Sequence, residues 1–415
     1  MKKHIPNINY TLRHDLCTGC GLCSAVCPSK AISTIVKNGR FLPSIDGNLC
    51  KNQNGCHRCN DACPGLGVNL IENASNTEKQ YQDPLIGQYH KCYVGYSTNQ
   101  DLRYHAASGG MVSQFLIWLI ENKKIDGAIV TKFDKSNPLK VKSYIARSRE
   151  EILSAKSSKY APVSLHEAVV ELKEVPNGKY VVVGLPCHIQ GFRKLEKIDK
   201  KLSAKVIGHF AIYCSASRTF NFTKYVFKER GIEIEDVDYL AYRDRGNQGG
   251  LVVQGKGIDY YQDYRMYCHP LKSIFNPRRC LLCIDHYGEL SDISFGDINT
   301  HPYNEDKIGI NSIIVRETIW NDLLQEAFFS GCINIKEIEP SEINRSQPSA
   351  KMKKGRNMRF IYMLSKFGYA VPKYDTQIQD FGMSDIIRYL LNIGQQFIGK
   401  NKILWPVIKI IKKEI

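Results

Sequence analysis

The central part of the chain alternates between segments with helical and with strand-like hydrophobic patterns. Residues 109–122 repeat apolar side chains at helical spacing, with Phe115, Leu116, Leu119 and Ile120 on the predicted buried face and Ser108 as the predicted N-cap. The other predicted helices are 164–173, 188–196 and 218–230, and the predicted strands are 128–131, 141–146, 180–183, 206–213, 249–255 and 313–315. This alternation predicts an α/β core with some parallel strand pairing.

The two ends of the chain differ from this core. Residues 1–72 are rich in cysteine and predict a module of loops and short turns, followed by a polar, turn-rich linker at 73–84. We divide the core into parts 85–165 and 166–345. Residues 346–415 form a basic extension, with an amphipathic helix predicted at 385–397 and an apolar, lysine-rich segment at 403–413. A helix packed on the body is the favoured interpretation of this tail, and peripheral contact with a membrane or a partner is the alternative.

Two cysteine runs dominate the N-terminal module. The first has three cysteines at intervals of three, a fourth after four residues, and then a proline; the second ends in the same way. The runs are Cys17, Cys20, Cys23 and Cys27, and Cys50, Cys56, Cys59 and Cys63. This is the bacterial ferredoxin pattern, in which the fourth cysteine of one run binds the cluster of the other.

The spacing therefore predicts two 4Fe–4S clusters with exchanged fourth ligands. We assign Cys17, Cys20, Cys23 and Cys63 to one cluster, and Cys50, Cys56, Cys59 and Cys27 to the other. Cys50 departs from the pattern because five residues separate it from Cys56. Two zinc sites built from Cys-x2-Cys pairs are the alternative, which the repeated Cys-Pro ending disfavours.

A second set of cysteines is dispersed through the body. Cys187 and Cys214 each follow a predicted strand, and Cys280 and Cys283 form a chelating pair. Ligands gather at the carboxyl ends of strands in α/β sheets, so these four predict a third 4Fe–4S cluster. The alternative is that Cys187 and Cys214 are buried apolar residues. Cys92, Cys268 and Cys332 are unassigned, although Cys268 could replace Cys214 as a ligand.

Composition narrows the class of protein. The chain of 415 residues carries 15 cysteines and a formal net charge of +16. The N-terminus lacks an apolar signal segment and the longest apolar run, 115–120, is too short to span a bilayer, so we expect a cytoplasmic protein, peripheral to a membrane only through its tail. Thiolate-bound clusters are anionic and offset part of the positive charge, so no nucleic-acid partner is predicted.

Several short motifs occur in an order and spacing that resemble a known family. They are the double ferredoxin run, 107–110, 156–160, 184–187, 213–214, and 280–285 leading to 292–297. Over about residues 10–320 the chain resembles the beta-subunit family of coenzyme F420 hydrogenases and dehydrogenases. The resemblance implies that the body binds FAD beside a 4Fe–4S cluster and passes electrons between a two-electron substrate and a one-electron chain.

Two of these motifs suit a flavin dinucleotide. Ser108, Gly109 and Gly110 at a helix start offer backbone amides to a phosphate or a flavin carbonyl. The second motif supplies cations and hydroxyls for a pyrophosphate and a ring that can stack, and consists of Lys156, Ser157, Ser158, Lys159 and Tyr160. An ordinary turn and a solvated lysine pair are the alternatives. No Gly-x-Gly-x-x-Gly run supports a standard dinucleotide fold.

Acid–base groups are less defined by the sequence. His188, next to Cys187, is the one candidate for proton transfer. Asp285, Asp292 and Asp297 could anchor the cluster loop or a ribose, and are equally compatible with turn and cap positions.

The predicted fold is an α+β ferredoxin-like two-cluster module followed by an α/β body that binds flavin and a cluster. The predicted function is an iron–sulfur flavoprotein oxidoreductase that relays electrons between a hydride-carrying small molecule and a ferredoxin or other redox partner protein. One alternative is a ferredoxin-dependent flavin reductase of an organic, glycan- or lipid-linked substrate. Another is a non-catalytic electron-transfer subunit without flavin.

Overall fold

The N-terminal cysteine-rich region is built around a β-hairpin in the computed structural model, which describes residues 6–71, 81–134, 137–271, 273–375 and 380–413. Its elements are α1 (Asn9–Arg13), α2 (Leu22–Ala25), β1 (Ile32–Lys37), β2 (Arg40–Ile45) and α3 (Arg58–Asp61), with 3-10 turns at Lys51–Asn54 and Pro64–Leu66. The hairpin, which pairs Ile32 with Ile45, was not predicted. Most of β1 is solvent-exposed, so the strand lacks a regular apolar alternation.

The predicted linker is described only at its end. Residues 73–80 lie outside the described residues. The next residues form the short antiparallel pair β3 (Tyr81–Asp83) and β4 (Gly87–Tyr89). Residues 81–83 of the predicted linker thus form a short strand, and the linker boundary stays a prediction.

The body is organised on one eight-stranded mixed sheet, which takes strands from both predicted parts. In spatial order its strands are β15 (Ile333–Glu337), β5 (Lys91–Ser97), β14 (Asn311–Val315), β13 (Ile293–Asp297), β9 (Val206–Ile212), β8 (Tyr180–Gly184), β6 (Gly127–Asp134) and β7 (Asn137–Ala146). The pairs β6–β8, β8–β9 and β9–β13 are parallel, and the remaining pairs are antiparallel. The prediction of a mixed core with some parallel pairing is confirmed.

A smaller antiparallel sheet and a set of helices complete the structure. The small sheet consists of β10 (Val237–Asp244), β11 (Gly250–Gly255) and β12 (Ile258–Asp263). The body helices are α4 (Gln100–His105), α5 (Met111–Glu121), α6 (Arg149–Ser154), α7 (His166–Glu174), α8 (Pro186–Ile198), α9 (Lys200–Ser203), α10 (Phe220–Lys228), α11 (Tyr264–Tyr267), α12 (Thr318–Phe329) and α13 (Pro340–Ser346). The four predicted core helices are confirmed as α5, α7, α8 and α10.

The start of α5 differs from the prediction. The N-cap is Gly110, with φ of 71°, rather than Ser108. The Ser108 hydroxyl instead donates to the Asp297 carboxylate, and Ser108 itself has a φ of 60°. A left-handed turn over these residues thus sends the chain toward the end of β13 before the helix begins.

The C-terminal extension packs against the body. It contains α14 (Pro348–Met352), a π-helical turn at Lys353–Asn357, α15 (Met358–Lys366), α16 (Met383–Lys400) and α17 (Trp405–Lys413). Trp405 is 4% exposed and packs with Tyr225 and Phe275, which confirms the packed-helix interpretation. None of the helices in the described part of the chain combines the length and apolar character that crossing a bilayer requires.

The ferredoxin-like module docks on α8, the helix that follows β8. Leu22 and Val26 share a buried cluster with Ile189 and Phe192 of this helix. Gly191 permits the close approach, because a Cβ at this position would lie 2.4 Å from Leu22 Cδ1. The first cysteine run is thereby placed against the sheet edge that carries Cys187.

Candidate thiol groups and cofactor cavity

The four predicted ligands of the first cluster surround one small cavity. The first thiol group, defined here as Cys17, Cys20, Cys23 and Cys63, lines this cavity together with apolar side chains. The chain wraps around it through Gly19 and Gly21, whose φ values are 80° and 77°. Gly65 completes the enclosure, because a Cβ there would lie 2.4 Å from the Leu16 carbonyl oxygen and 3.2 Å from Cys63 Sγ.

The electrostatics of this group suit a cationic core. Burial, reinforced by the neighbouring thiols Cys63 and Cys20, raises the pKa of Cys17 to about 12. Burial and Cys63 raise the pKa of Cys20 to about 11, and burial with four surrounding cysteines raises the pKa of Cys23 well above its usual value. Buried thiolates that repel one another need a compensating cation, which iron supplies. The residues present therefore fit an iron–sulfur cluster.

Three of the four predicted ligands of the second cluster also lie together. Burial raises the pKa of Cys59 to about 11, and Cys27 and Cys56 add to the effect. Cys50 enters the 3-10 turn Lys51–Asn54, after which the Cys56 N–H donates to the Lys51 carbonyl at 3.2 Å. The unusual five-residue spacing is thus folded into a turn that brings the chain back toward Cys50. We call Cys27, Cys50, Cys56 and Cys59 the second thiol group.

The dispersed cysteines of the body converge as a third thiol group, Cys187, Cys214, Cys280 and Cys283. Cys187 opens α8 after β8, and Cys214 follows the adjacent parallel strand β9. Burial raises the pKa of Cys187 well above its usual value, with further contributions from Cys214, Cys283 and Cys280. Parallel strands end at one sheet edge, so the two strand-end cysteines meet there.

Cys268, the alternative ligand to Cys214, has different neighbours. Its Sγ accepts a hydrogen bond from Arg218 Nη2 at 3.7 Å, and its thiol lies close enough to Tyr160 and Tyr264 to raise the pKa of both phenols. In contrast, burial raises the pKa of Cys214 to about 12, and the thiols of Cys280 and Cys283 add to this effect.

The third thiol group has a buried cationic neighbour that the sequence did not reveal. Lys353, in the π-helical turn, is 1% exposed. Its Nζ donates to Cys283 Sγ at 3.5 Å and to the Asp285 carbonyl at 2.8 Å. Burial alone would lower the Lys353 pKa, whereas the nearby thiols of Cys283, Cys214 and Cys280 raise it above its usual value. A run of lysines and arginines at 351–356 gave no signal that one of them is buried.

The three groups lie in sequence through the molecule. Cys20 of the first group contributes to the raised pKa of Cys187 in the third, and Cys59 of the second contributes to that of Cys23 in the first. Arg279 links the first and third groups. It precedes Cys280 in the sequence, and its side chain donates to the carbonyls of Pro64 and Gly65, which follow Cys63.

In the described residues, no three His, Cys, Asp or Glu side chains converge closely enough to hold one metal ion. A four-iron cube is wider than a single ion and keeps its thiolate ligands farther apart. The grouping of four thiols around a cavity in the first group suits such a cluster.

A large cavity adjoins the third thiol group. Its volume is about 680 Å³, within the range of ligand pockets, and Cys214 and Cys280 form part of its wall. The buried atoms Arg243 Nε, Arg356 Nε and Asn357 Oδ1 belong to lining residues and have no hydrogen-bond partner in the described structure. A polar cofactor would satisfy such atoms.

Six of the eight predicted flavin-binding residues line this cavity, namely Ser108, Gly110, Ser157, Ser158, Lys159 and Tyr160, whereas Gly109 and Lys156 do not. The Gly109 amide is not free for a phosphate, because it donates to Asn311 Oδ1 at 2.8 Å. Lys159 Nζ donates to the carbonyls of Lys156 and Ser157 at 2.7 and 2.9 Å, and burial lowers its pKa to about 7.

Tyr160 lies in an aromatic corner of the cavity. Its ring is 5.5 Å from that of Tyr242 and 5.7 Å from that of Tyr264. Arg243 lies beside it and pairs with Asp297 at 3.0 Å, and Asp297 also accepts from Ser108. Asp297, at the end of β13, therefore links the two predicted motifs. It accepts from Ser108 of the serine–glycine motif and pairs with Arg243, which lies beside Tyr160 of the other motif.

His188 lies on the cavity wall, where backbone groups contact its ring. Its Nδ1 accepts from the Leu185 N–H at 3.3 Å, and the ring also hydrogen-bonds to the backbone of Val163. Burial lowers the pKa of His188 to about 4. Its place at the start of α8 puts the ring on the cavity wall, and its role as an acid or base stays a prediction.

The three aspartates have distinct places. Asp285 accepts from the backbone N–H of Gly288 at 2.7 Å and so closes the turn after Cys283. Asp292 pairs with Arg193 at 2.6 Å, away from the cavity wall. Of the three, Asp297 lines the cavity.

Three family models match the chain. The coenzyme F420 hydrogenase/dehydrogenase beta subunit N-terminal model matches residues 92–170, and its C-terminal counterpart matches residues 177–341. Together they cover more than half of the chain. A 4Fe–4S binding domain matches residues 10–33.

Relatives with assigned activities are similar over much of the chain. A coenzyme F420-dependent sulfite reductase of Methanocaldococcus jannaschii is 28% identical over 346 residues, which are 80% of this chain and 49% of the reductase. The chain thus spans about half the length of that relative. The coenzyme F420 hydrogenase subunit beta of Methanosarcina barkeri is 23% identical, with 69% of this chain and 96% of the subunit covered.

A solved structure shares the fold. A chain of the F420-reducing NiFe hydrogenase complex from Methanosarcina barkeri superposes with a TM-score of 0.55 at 21% sequence identity. The match covers 70% of this chain and 98% of that chain.

Proposed function

The chain belongs to the coenzyme F420 hydrogenase/dehydrogenase beta subunit family of iron–sulfur oxidoreductases, and from this premise we propose that it is a flavoprotein that passes electrons between a hydride-carrying small molecule and a protein partner. FAD is the proposed cofactor of the large cavity. Bound there, a flavin supplies the exchange of a hydride on one side for single electrons on the other.

The observation that carries the proposal is the continuous series from cavity to module surface. Cys214 and Cys280 belong both to the cavity wall and to the third thiol group. Cys20 of the first group is near enough to contribute to the raised pKa of Cys187 in the third, and Cys59 of the second group contributes in the same way to that of Cys23. Three 4Fe–4S clusters held by these groups would form a relay with no long interruption.

The ligand sets in this proposal are those given by the spacing. The first, second and third thiol groups each hold one cluster, with Cys27 and Cys63 exchanged between the two ferredoxin runs. Lys353 is added as a charge that faces the third cluster from the C-terminal extension. A fixed cation of this kind changes the reduction potential of a cluster and holds the cluster loop in place.

The residues of the cavity would bind and orient the flavin. Tyr160 offers a ring, Ser108 and Ser158 offer hydroxyls, and Arg243 offers a buried guanidinium whose Nε lacks a partner. Asp297 fixes Arg243 and Ser108 relative to each other. His188, on the cavity wall, is the proposed proton-transfer residue, and solvent or the substrate itself is the other source of a proton.

The partner would dock at the ferredoxin-like module, beside the second thiol group. Cys27, Cys50 and Cys56 are only partly buried, in contrast to the buried cysteines of the first group. The second cluster is therefore the natural exit or entry point for electrons carried by a ferredoxin or another redox subunit.

Anaerobic purification with quantification of iron, sulfide and flavin tests this proposal. We expect about 12 irons per chain, the same amount of acid-labile sulfide, and one FAD. About 8 irons per chain would remove the third cluster. Full iron without flavin would favour the non-catalytic electron-transfer subunit, and zinc without iron would refute the whole proposal.

A further inference from the structure

The C-terminal extension forms one wall of the large cavity. The π-helical turn and its flanks contribute Met352, Arg356 and Asn357, and α16 contributes Arg388, Leu391, Asn392 and Gln395. These residues lie beyond residue 341, where the family match ends. The part of the cavity that they enclose is therefore a property of this chain's extension rather than of the matched body.

This wall is positively charged and only partly neutralised. Arg356 is half-buried, and its pKa is lowered by burial and then by the repulsion of Arg388 and Arg359. Of the three arginines, Arg359 is paired, with Asp385 Oδ2 at 3.0 Å. Arg388 makes no ion pair in the part of the chain that the structure describes.

No carboxylate of the cavity balances these charges. Asp297 is the one acidic residue among the described lining residues, and it is already paired with Arg243. Arg356 Nε is buried without a hydrogen-bond partner in the described residues, Arg356 Nη2 donates to the thioether of Met352, and the guanidinium lies 5.8 Å from the Phe360 ring centroid. The half-buried Arg356 and the exposed Arg388 line the same cavity, and neither has a carboxylate ion pair in the described residues, so together they form a site for an anion.

Amides stand next to these arginines on the same wall. Ser273 Oγ lies 2.7 Å from Asn392 Oδ1 and 2.5 Å from Gln395 Oε1, which ties α16 to the body. Asn392 and Gln395 both line the cavity; Asn392 Nδ2 donates to the Arg388 carbonyl at 2.8 Å, and the Gln395 amide adds a neutral donor beside the arginine pair. A phosphate or carboxylate bound here would have both charge and hydrogen-bond partners.

We propose that Arg356 and Arg388 bind a phosphate or carboxylate group of the organic substrate at the outer wall of the cavity. The proposal rests on the proposed function, because the substrate is the molecule that exchanges a hydride with the flavin in the same cavity. It names the substrate class as an anionic organic molecule that the C-terminal extension selects. The diphosphate of FAD has the same chemistry, so the test must distinguish the two sources.

Titration calorimetry with inorganic pyrophosphate, on the protein purified with its cofactors, provides the test. The variant Arg356→Gln/Arg388→Gln should weaken pyrophosphate binding about 100-fold, roughly tenfold for each charge-assisted hydrogen bond that the substitutions remove. The flavin and iron content per chain should stay at the wild-type value. The matched control Arg345→Gln/Lys351→Gln removes two exposed charges outside the cavity and should leave the affinity unchanged.

Three results would overturn the inference. The first is absent pyrophosphate binding to the wild type, or equal affinity in the arginine variant. The second is an equal loss in the control variant, which would assign binding to the general positive charge of the protein. The third is a loss of flavin in the arginine variant, which would assign the arginines to the FAD diphosphate. A protein without flavin or iron would refute the proposed function, while the calorimetry would still decide the anion site.

Discussion

The most informative single substitution is Lys353→Met, which removes the ammonium group beside the third thiol group and keeps a long apolar chain in its place. Lys353 is 1% exposed, and its Nζ lies 3.5 Å from Cys283 Sγ. The methionine side chain can fill the same space between α14 and α15. The substitution therefore changes the charge at the cluster more than the packing of the extension.

The magnitude follows from the distance. Two unit charges 3.5 Å apart interact by about 5 kcal/mol at an effective dielectric constant of about 20. The charge added on reduction of a cluster is spread over the cube, beyond the Sγ atom. We therefore assign about 2 kcal/mol to the interaction between this added charge and the Lys353 ammonium group. For one electron, where a tenfold change in equilibrium corresponds to about 59 mV, this is a shift on the order of 100 mV. Loss of a positive charge disfavours the added electron, so the potential should fall.

The assay is a redox titration of the anaerobic protein, followed by electron paramagnetic resonance of the reduced clusters. One of the three signals should move to lower potential in Lys353→Met, and the two signals of the ferredoxin-like module should stay unchanged. Lys351→Met is the matched control, because Lys351 carries the same charge two residues away at an exposed position. Unchanged potentials with full iron content, or an equal shift in Lys351→Met, would refute the reasoning.

Three further predictions concern the clusters, the tail and the pH dependence of stability. Cys187→Ser should lower the iron content from about 12 to about 8 per chain and leave the signals of the module clusters in place, as metal analysis and paramagnetic resonance would show. Trp405→Ala should lower the free energy of unfolding by about 3–5 kcal/mol in chemical denaturation, whereas Ile403→Ala, at a position 92% exposed, should change it by less than about 0.5 kcal/mol. Burial raises the pKa of Glu289 to about 7 despite its contact with Lys354, so the stability that this residue contributes is present below its unfolded pKa of about 4.5 and is lost as the pH rises through 7. Glu289→Gln should remove up to about 3 kcal/mol of the difference in stability between pH 5 and pH 8, and an equal pH dependence in wild type and variant would contradict this.

The sequence could predict what is set by local spacing. A tight loop with cysteines at intervals of three fixes the directions of neighbouring thiols, so the first thiol group is readable from the run that begins at Cys17. The strand–helix alternation likewise predicted β8, β9 and α8, because their apolar patterns reflect burial on a sheet. The place of Cys187 and Cys214 at one sheet edge followed from those strands and from the parallel pairing.

Other expectations failed where a side chain's partner comes from a distant part of the chain. Gly109 was expected to offer its amide to a cofactor, but Asn311, on β14, takes that hydrogen bond. The contacts of the His188 ring with the Leu185 amide and the backbone of Val163 were likewise not predicted, and its role in proton transfer stays a prediction. The hydrophobic pattern around each residue does not predict which distant residue will contact it.

By itself, the sequence determined the family, the α/β body and the ferredoxin-like runs, because each depends on residue types at short, regular intervals, and it predicted which cysteines would hold iron. Only the tertiary structure decided that Lys353 faces the third thiol group and that Arg356 and Arg388 share one wall of the cavity. In the sequence these residues are part of a basic, amphipathic tail. Their roles arise because α14, α15 and α16 fold back on the body, and the burial of a charge is fixed by that packing rather than by its neighbours in the chain.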